Sequence, residues 1–140
     1  MLFCLIGVQF IRPEQTNKSN PSAIAITKMI TVPANVQIIL KKACYDCHSN
    51  HTDYPWYSNI QPIAWVLNNH IKEGKSNINF SEFGSYSARR QKSKLSAVAD
   101  AIKDKTMPLA SYTFIHREAR LSEKQKKLVT NWVASVLASY

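Results

Sequence analysis

The sequence predicts a small all-α domain, on three observations. Apolar residues recur at helical spacing in several stretches, and no stretch alternates polar and apolar residues with period two. The 140 residues also contain only three glycines, too few for a turn-rich β fold. That length suits one domain with a modest core.

Residues 1–11 (MLFCLIGVQFI) are almost wholly apolar, and Arg12-Pro13 ends the run. A bilayer-spanning helix needs about 20 residues. The run matches the apolar core of a signal sequence but lacks a positively charged leader. Residues 1–12 are therefore expected to be a shortened, uncleaved membrane anchor. Ala23-Ile24-Ala25 has a small-x-small cleavage pattern, but it lies too far beyond the apolar run. Cys4 lacks the preceding small residue that lipoprotein processing requires, so it reads as part of the anchor. Residues 13–31, rich in Ser, Thr, Asn and Pro, are expected to form a polar tether, and residues 32–140 the globular domain.

Pro33 suits a first helical turn, and Val36, Ile39, Leu40 and Ala43 make a stripe that runs on to Cys47. Residues 51–60 (HTDYPWYSNI) form an aromatic loop. The next helix starts near Pro62, places Ile63, Val66, Leu67, His70 and Ile71 on one side, and is expected to stop at Gly74. Residues 77–86 look irregular. Leu95, Val98, Ala99 and Ile102 predict a helix over 87–105. A loop over 106–121 contains Met107-Pro108. Ser122 and Gln125 predict a capping box for a last helix that buries Leu128, Val129, Trp132, Val133, Val136 and Leu137.

The first of these helices leads into Cys44-Tyr45-Asp46-Cys47-His48, a C-x-x-C-H run. This is the attachment pattern of a c-type haem. Residues three apart share a helical face, so both thiols can reach the vinyl groups on one porphyrin edge. The histidine that follows brings an imidazole under the iron as proximal ligand. The expectation is one covalently attached haem c per chain, held by Cys44, Cys47 and His48, with a small cytochrome c-like helical domain built around it. Two other readings compete. C-x-x-C can be half of a zinc site completed by two of His51, His70 and His116, but no second C-x-x-C or H-x3-5-H pair exists. It can also be a redox dithiol, which would follow a strand in a βαβ pattern absent here.

The opposite face of the iron needs a second ligand. Met107, in a loop beyond the motif and stiffened by Pro108, is the first candidate. His70 is the alternative distal ligand, then His116; each also reads as an ordinary histidine with a satisfied hydrogen bond. Met107 in turn reads as a gap-filling methionine. His51 follows His48 too closely to pass the porphyrin rim. Tyr54, Trp56 and Tyr57 are candidates for haem contact, or plain core aromatics. Arg89 and Arg90 read as partners of the propionates or as a solvated helix face.

With these residues on the page, the chain resembles the bacterial haem-binding domain family of single-haem, membrane-anchored extracytoplasmic proteins. The resemblance runs through Cys44 to Asn50, Thr52, Tyr54-Pro55-Trp56-Tyr57, Ile60, Pro62, Trp65, His70 to Gly74 and Asn79-Phe80-Ser81-Glu82. It closes with Met107-Pro108, Tyr112, His116 and Leu121-Ser122. It implies a c-type haem on Cys44, Cys47 and His48, and a location on the periplasmic side of the inner membrane. The departure is the shortened apolar stretch at the N-terminus.

The formal net charge is +9, from 18 basic and 9 acidic residues. Basic residues are spread among acidic ones and no nucleic-acid motif is present, so no nucleic-acid partner is expected. The charge instead predicts a cationic surface that steers a redox partner protein, acidic at the contact. The sequence thus predicts a monohaem electron carrier, not an enzyme. The alternative is a haem-based gas sensor or peroxidase-like protein with an open or displaceable sixth coordination site.

Overall fold

A computed structural model describes residues 6–15, 17 and 22–140. Cys4 and the rest of residues 1–5, the start of the expected anchor, lie outside the described residues, as do parts of the expected tether. Beyond the N-terminal stretch, the described residues form seven α-helices: α1 (Ile26–Met29), α2 (Ala34–Ala43), α3 (Tyr45–His48), α4 (Ile63–Asn77), α5 (Ala88–Lys103), α6 (Ala110–Ile115) and α7 (Glu123–Ala138). Short 3-10 turns occupy Val8–Phe10, Trp56–Asn59, Phe80–Ser85 and Arg117–Ala119. No strand occurs among the described residues, so the domain is all-α.

The core is built where the helical stripes meet. Val36, Ile39 and Leu40 of α2 pack with Leu95, Ala99 and Ile102 of α5 and with Val129, Trp132 and Val133 of α7. Phe83 at the centre is fully buried. Trp132 donates its indole N–H to the Thr31 carbonyl at 3.0 Å, which ties α7 to the entry of α2 and satisfies the one polar atom of that ring. The capping box of α7 forms as expected: Ser122 Oγ accepts from the Gln125 N–H, and the Gln125 side chain accepts from the Ser122 N–H. Leu128 and Leu137 are only partly buried beside this core.

Several expectations are revised. Gly74 does not end its helix: α4 continues to Asn77, because position 74 is pressed against another element. The stripe on α2 does not run unbroken into the motif, since Cys44 (φ −129°, ψ −40°) breaks the helix and the motif forms its own turn, α3. Residues 77–86 contain the 3-10 turn Phe80–Ser85, capped where the Asn79 side chain accepts from the Ser81 N–H. On α4, Ala64, Ile71 and Gly74 are buried, whereas Ile63 and Val66 are exposed.

The packed body also begins upstream of Val32. Ile26 of α1 lies in the core, and the Ile24 carbonyl accepts the Gly84 N–H at 2.8 Å. A Cβ at Gly84 would meet Met29 Sδ at 2.9 Å, so α1 lies directly on the Phe80–Ser85 turn. Part of the stretch read as a tether is therefore core. No helix among the described residues is long and apolar enough to cross a membrane.

Candidate haem site

The motif turn is held by its own backbone and by two elements packed on it. The N–H groups of Cys47 and His48 both donate to the Cys44 carbonyl, at 3.2 and 2.9 Å. This closes a single turn and sets the two cysteines three residues apart on it. Thr52 Oγ donates to the Asp46 carbonyl at 2.6 Å, and the Asp53 N–H donates to Asp46 Oδ1, so the chain leaving the motif folds back over it. Asn50 is locked in turn: its N–H donates to Ser81 Oγ, its amide to Glu82, and its amide oxygen accepts from Asn79.

His48 is oriented by the backbone of the segment after α4. Its Nδ1 lies 3.1 Å from the Ile78 carbonyl oxygen. A carbonyl only accepts, so Nδ1 carries the proton and Nε2 keeps its lone pair for a metal. Burial lowers the His48 pKa from its ordinary value, against the pull of the Ile78 and Gly74 carbonyls, which favours the neutral imidazole that a metal requires. Such an outer hydrogen bond is the usual device for fixing a ligating histidine.

Both cysteines are free thiols. Burial, then the neighbouring Cys47, pushes the Cys44 thiol up to about 12; burial and Asp46 raise Cys47 to about 11. A redox dithiol works through a lowered thiolate pKa, so these values oppose that reading.

Two clefts of about 150 and 260 Å³ flank the motif. They share Ala43, His48, Asn77, Met107 and Pro108 as lining. Each is smaller than the roughly 300–1,000 Å³ of an ordinary cofactor pocket, and the shared lining sets the two side by side at the motif. The first also holds Cys47, His70, Gly74 and Tyr112; the second holds Cys44, Phe80, Val98 and Ile102. Met107 arrives there through the end of α5. Lys105 is left-handed (φ 58°), and the N–H groups of Lys105 and Thr106 donate to the Ile102 and Ala101 carbonyls. This is a Schellman cap, and it turns the chain so that Met107 follows at the cleft.

The donor set fits a haem: two unpaired thiols on one turn, a histidine with a fixed free Nε2, and apolar walls that include a thioether. The sequence model of the haem-binding domain matches residues 3–135. The chain belongs to that family. It is a haem-binding protein. No curated protein and no solved structure matches the chain.

In this haem-binding domain, Met107 and His70 both reach the first cleft. His116 lines neither cleft. Its Nε2 lies 2.7 Å from the Tyr57 hydroxyl, its Nδ1 lies 3.3 Å from Glu118, and its ring stacks on Tyr112 at 4.5 Å. Tyr57 is buried in that cluster and Trp56 is exposed, and neither these two nor Tyr54 lines the clefts. His51 sits at the surface 3.2 Å from Asp53. Among the described residues no group of three or more His, Cys, Asp or Glu side chains is placed to hold a metal ion, so the zinc arrangement has no ligand set there. Arg90 covers the face of Tyr86 at 5.6 Å.

Two residues at the site carry contacts to which the sequence reading gave no role. Tyr112 donates its hydroxyl to Asp46 Oδ2 at 2.6 Å, joining α6 to the residue between the two cysteines. Burial and this bond raise its pKa far above the ordinary phenol value. Lys94 lines the second cleft and donates to the Asn77 carbonyl. Burial and Arg90 lower its pKa. Its position one turn beyond Arg90 was the only available signal.

Proposed function

We propose that this haem-binding domain is a monohaem c-type cytochrome that transfers electrons on the extracytoplasmic side of the inner membrane. Cys44 and Cys47 would hold the porphyrin through thioethers, His48 Nε2 would be the proximal ligand and Met107 the distal one. When bound, the haem supplies a one-electron ferrous–ferric couple. The observation that carries this reading is the His48–Ile78 bond, which leaves Nε2 free on a residue that borders the same clefts as Met107. The protein's part is to orient that imidazole, keep it neutral, and wall the ring with apolar side chains, which tune the potential. The excess of positive charge favours a transient complex with a redox partner that is acidic at the contact.

A second reading is a gas sensor or peroxidase-like protein with a displaceable sixth ligand. It is favoured by His70, which shares the first cleft with Met107 and offers a polar group near the distal side. The test is the visible spectrum of the chain produced with haem-maturation machinery. Haem retained after denaturation, a low-spin reduced spectrum, and no carbon monoxide binding support the electron carrier. A high-spin spectrum that responds to carbon monoxide moves the assignment to the sensor or peroxidase. Haem lost on denaturation sinks the c-type reading.

A further inference from the structure

The stretch read as anchor and tether does not leave the domain freely. Gln9 pairs with the backbone of Gln61 twice: its amide donates to the Gln61 carbonyl at 3.2 Å and its amide oxygen accepts from the Gln61 N–H at 2.9 Å. The Gln61 side chain and the Trp65 indole both donate to the Ile11 carbonyl at 3.0 Å. Farther on, Asn17 repeats the device on Thr52, donating to its carbonyl at 2.9 Å and accepting its N–H at 2.8 Å. Residues 9–11 are thus clamped to the start of α4.

This clamp gathers large apolar side chains that the fold leaves uncovered. Phe10 is 83% exposed and Ile11 64%, beside the exposed Trp65; Trp56 (76%) and Ile60 precede the clamp on the same strip of chain. Farther along α4 the outward positions turn polar, with Asn69, Lys72 and Glu73. Apolar surface beside the clamp that includes two exposed tryptophans is unusual for a water-facing domain. Tryptophan is the side chain favoured at the membrane–water interface. Arg12, next to Ile11, and the net charge of +9 suit an anionic headgroup layer.

We propose that the face formed by Phe10, Ile11, Ile60, Trp65 and Trp56 rests on a lipid bilayer, so the domain lies against the membrane at a fixed angle and does not swing on a tether. The proposal rests on the anchored reading above and adds an orientation to it. Trp65 and His70 are five residues apart on α4, roughly 140° round the helix at 3.6 residues per turn. The cleft that His70 lines therefore opens away from the bilayer side, toward a partner in solution.

The test uses the full haem-loaded chain with vesicles of phosphatidylglycerol and phosphatidylcholine that carry a photoactivatable diazirine lipid. Sedimentation reads the anchor and mass spectrometry maps the lipid adducts. Sedimentation with adducts in both residues 6–12 and 56–65, but not at Phe114-Ile115, is the expected result. Gln9→Ala should lower the adducts at 56–65 several-fold while sedimentation persists, since two clamp bonds are lost. Sedimentation with adducts confined to the first 12 residues overturns the orientation and leaves the anchor standing. Failure to sediment removes both. Protection of 56–65 from hydrogen exchange in concentrated, lipid-free protein assigns the face to a second copy of the chain and also overturns the proposal.

Discussion

A Cβ placed on Gly74 would sit 2.5 Å from the Cys47 carbonyl oxygen, so α4 lies directly on the motif turn with no room for a side chain between them. The neighbour is backbone and cannot rotate away. This close approach also brings the segment after α4 near enough for Ile78 to accept from His48.

Gly74→Ala should therefore push α4 off the motif and disturb the His48 hydrogen bond. Overpacking of this kind costs about 1–3 kcal/mol. The expected result is a lower melting temperature and a smaller yield of haem-loaded protein than wild type, read by thermal scan and by absorbance per chain. Wild-type values for both would show that the helices separate freely.

Tyr112→Phe removes the 2.6 Å bond to Asp46 but keeps the ring stacked on His116. Hydrogen bonds to charged groups contribute about 1.5–3 kcal/mol, and partial exposure places this one toward the lower end. Chemical denaturation should show a loss of about 1–2 kcal/mol with covalent haem retained. An unchanged midpoint would mean that Asp46 is equally well satisfied by water.

Lys105 holds a left-handed conformation that costs an L-residue about 1–2 kcal/mol. Lys105→Gly should raise the melting temperature by a few degrees, or leave it unchanged where the more flexible unfolded chain offsets the relief. Lys105→Val should lower it and, because the cap sets the path to Met107, disturb the distal-ligand spectrum as well. A Val variant with native stability and spectrum would remove the cap from the account of Met107.

Met107→Ala should abolish the weak red-edge band of methionine ligation and admit carbon monoxide, while haem stays bound through Cys44 and Cys47. His70→Ala should leave that band intact. The reverse pattern would transfer the distal position to His70, which borders the same cleft.

The apoprotein should lose stability in mild acid. Burial holds the folded-state pKa of His48 below its ordinary value of 6.5, so the unfolded chain binds the proton more readily. The contribution is complete above pH 6.5 and declines as the pH falls from there toward the lowered folded-state value. Denaturation midpoints measured between pH 7.5 and 5.5 should fall for the wild-type apoprotein and fall less for His48→Gln. Equal slopes would place the acid sensitivity elsewhere.

Much of the fold was legible because its signals are local. The stripe Val36, Ile39, Leu40, Ala43 is buried as read, and Ser122 and Gln125 form the box that their spacing predicts. Gly74 was misread as a helix stop because glycine carries the same letter whether it ends a helix or admits a neighbouring backbone. Residues 13–31 differ from expectation for a related reason: their polar composition resembles a tether, but Asn17 spends its amide on the backbone of Thr52, 35 residues away, and Ile26 lies in the core.

The sequence by itself determined the haem motif and the helices that lead into and away from it, because thiol spacing, periodicity and caps act within a few residues. Only the tertiary structure decided that Met107 and His70 reach the cleft while His116 is taken up by Tyr57, and that Ile78 fixes the tautomer of His48. These depend on where distant helices pack, and packing is settled by shape and burial summed over the whole core rather than by any local pattern.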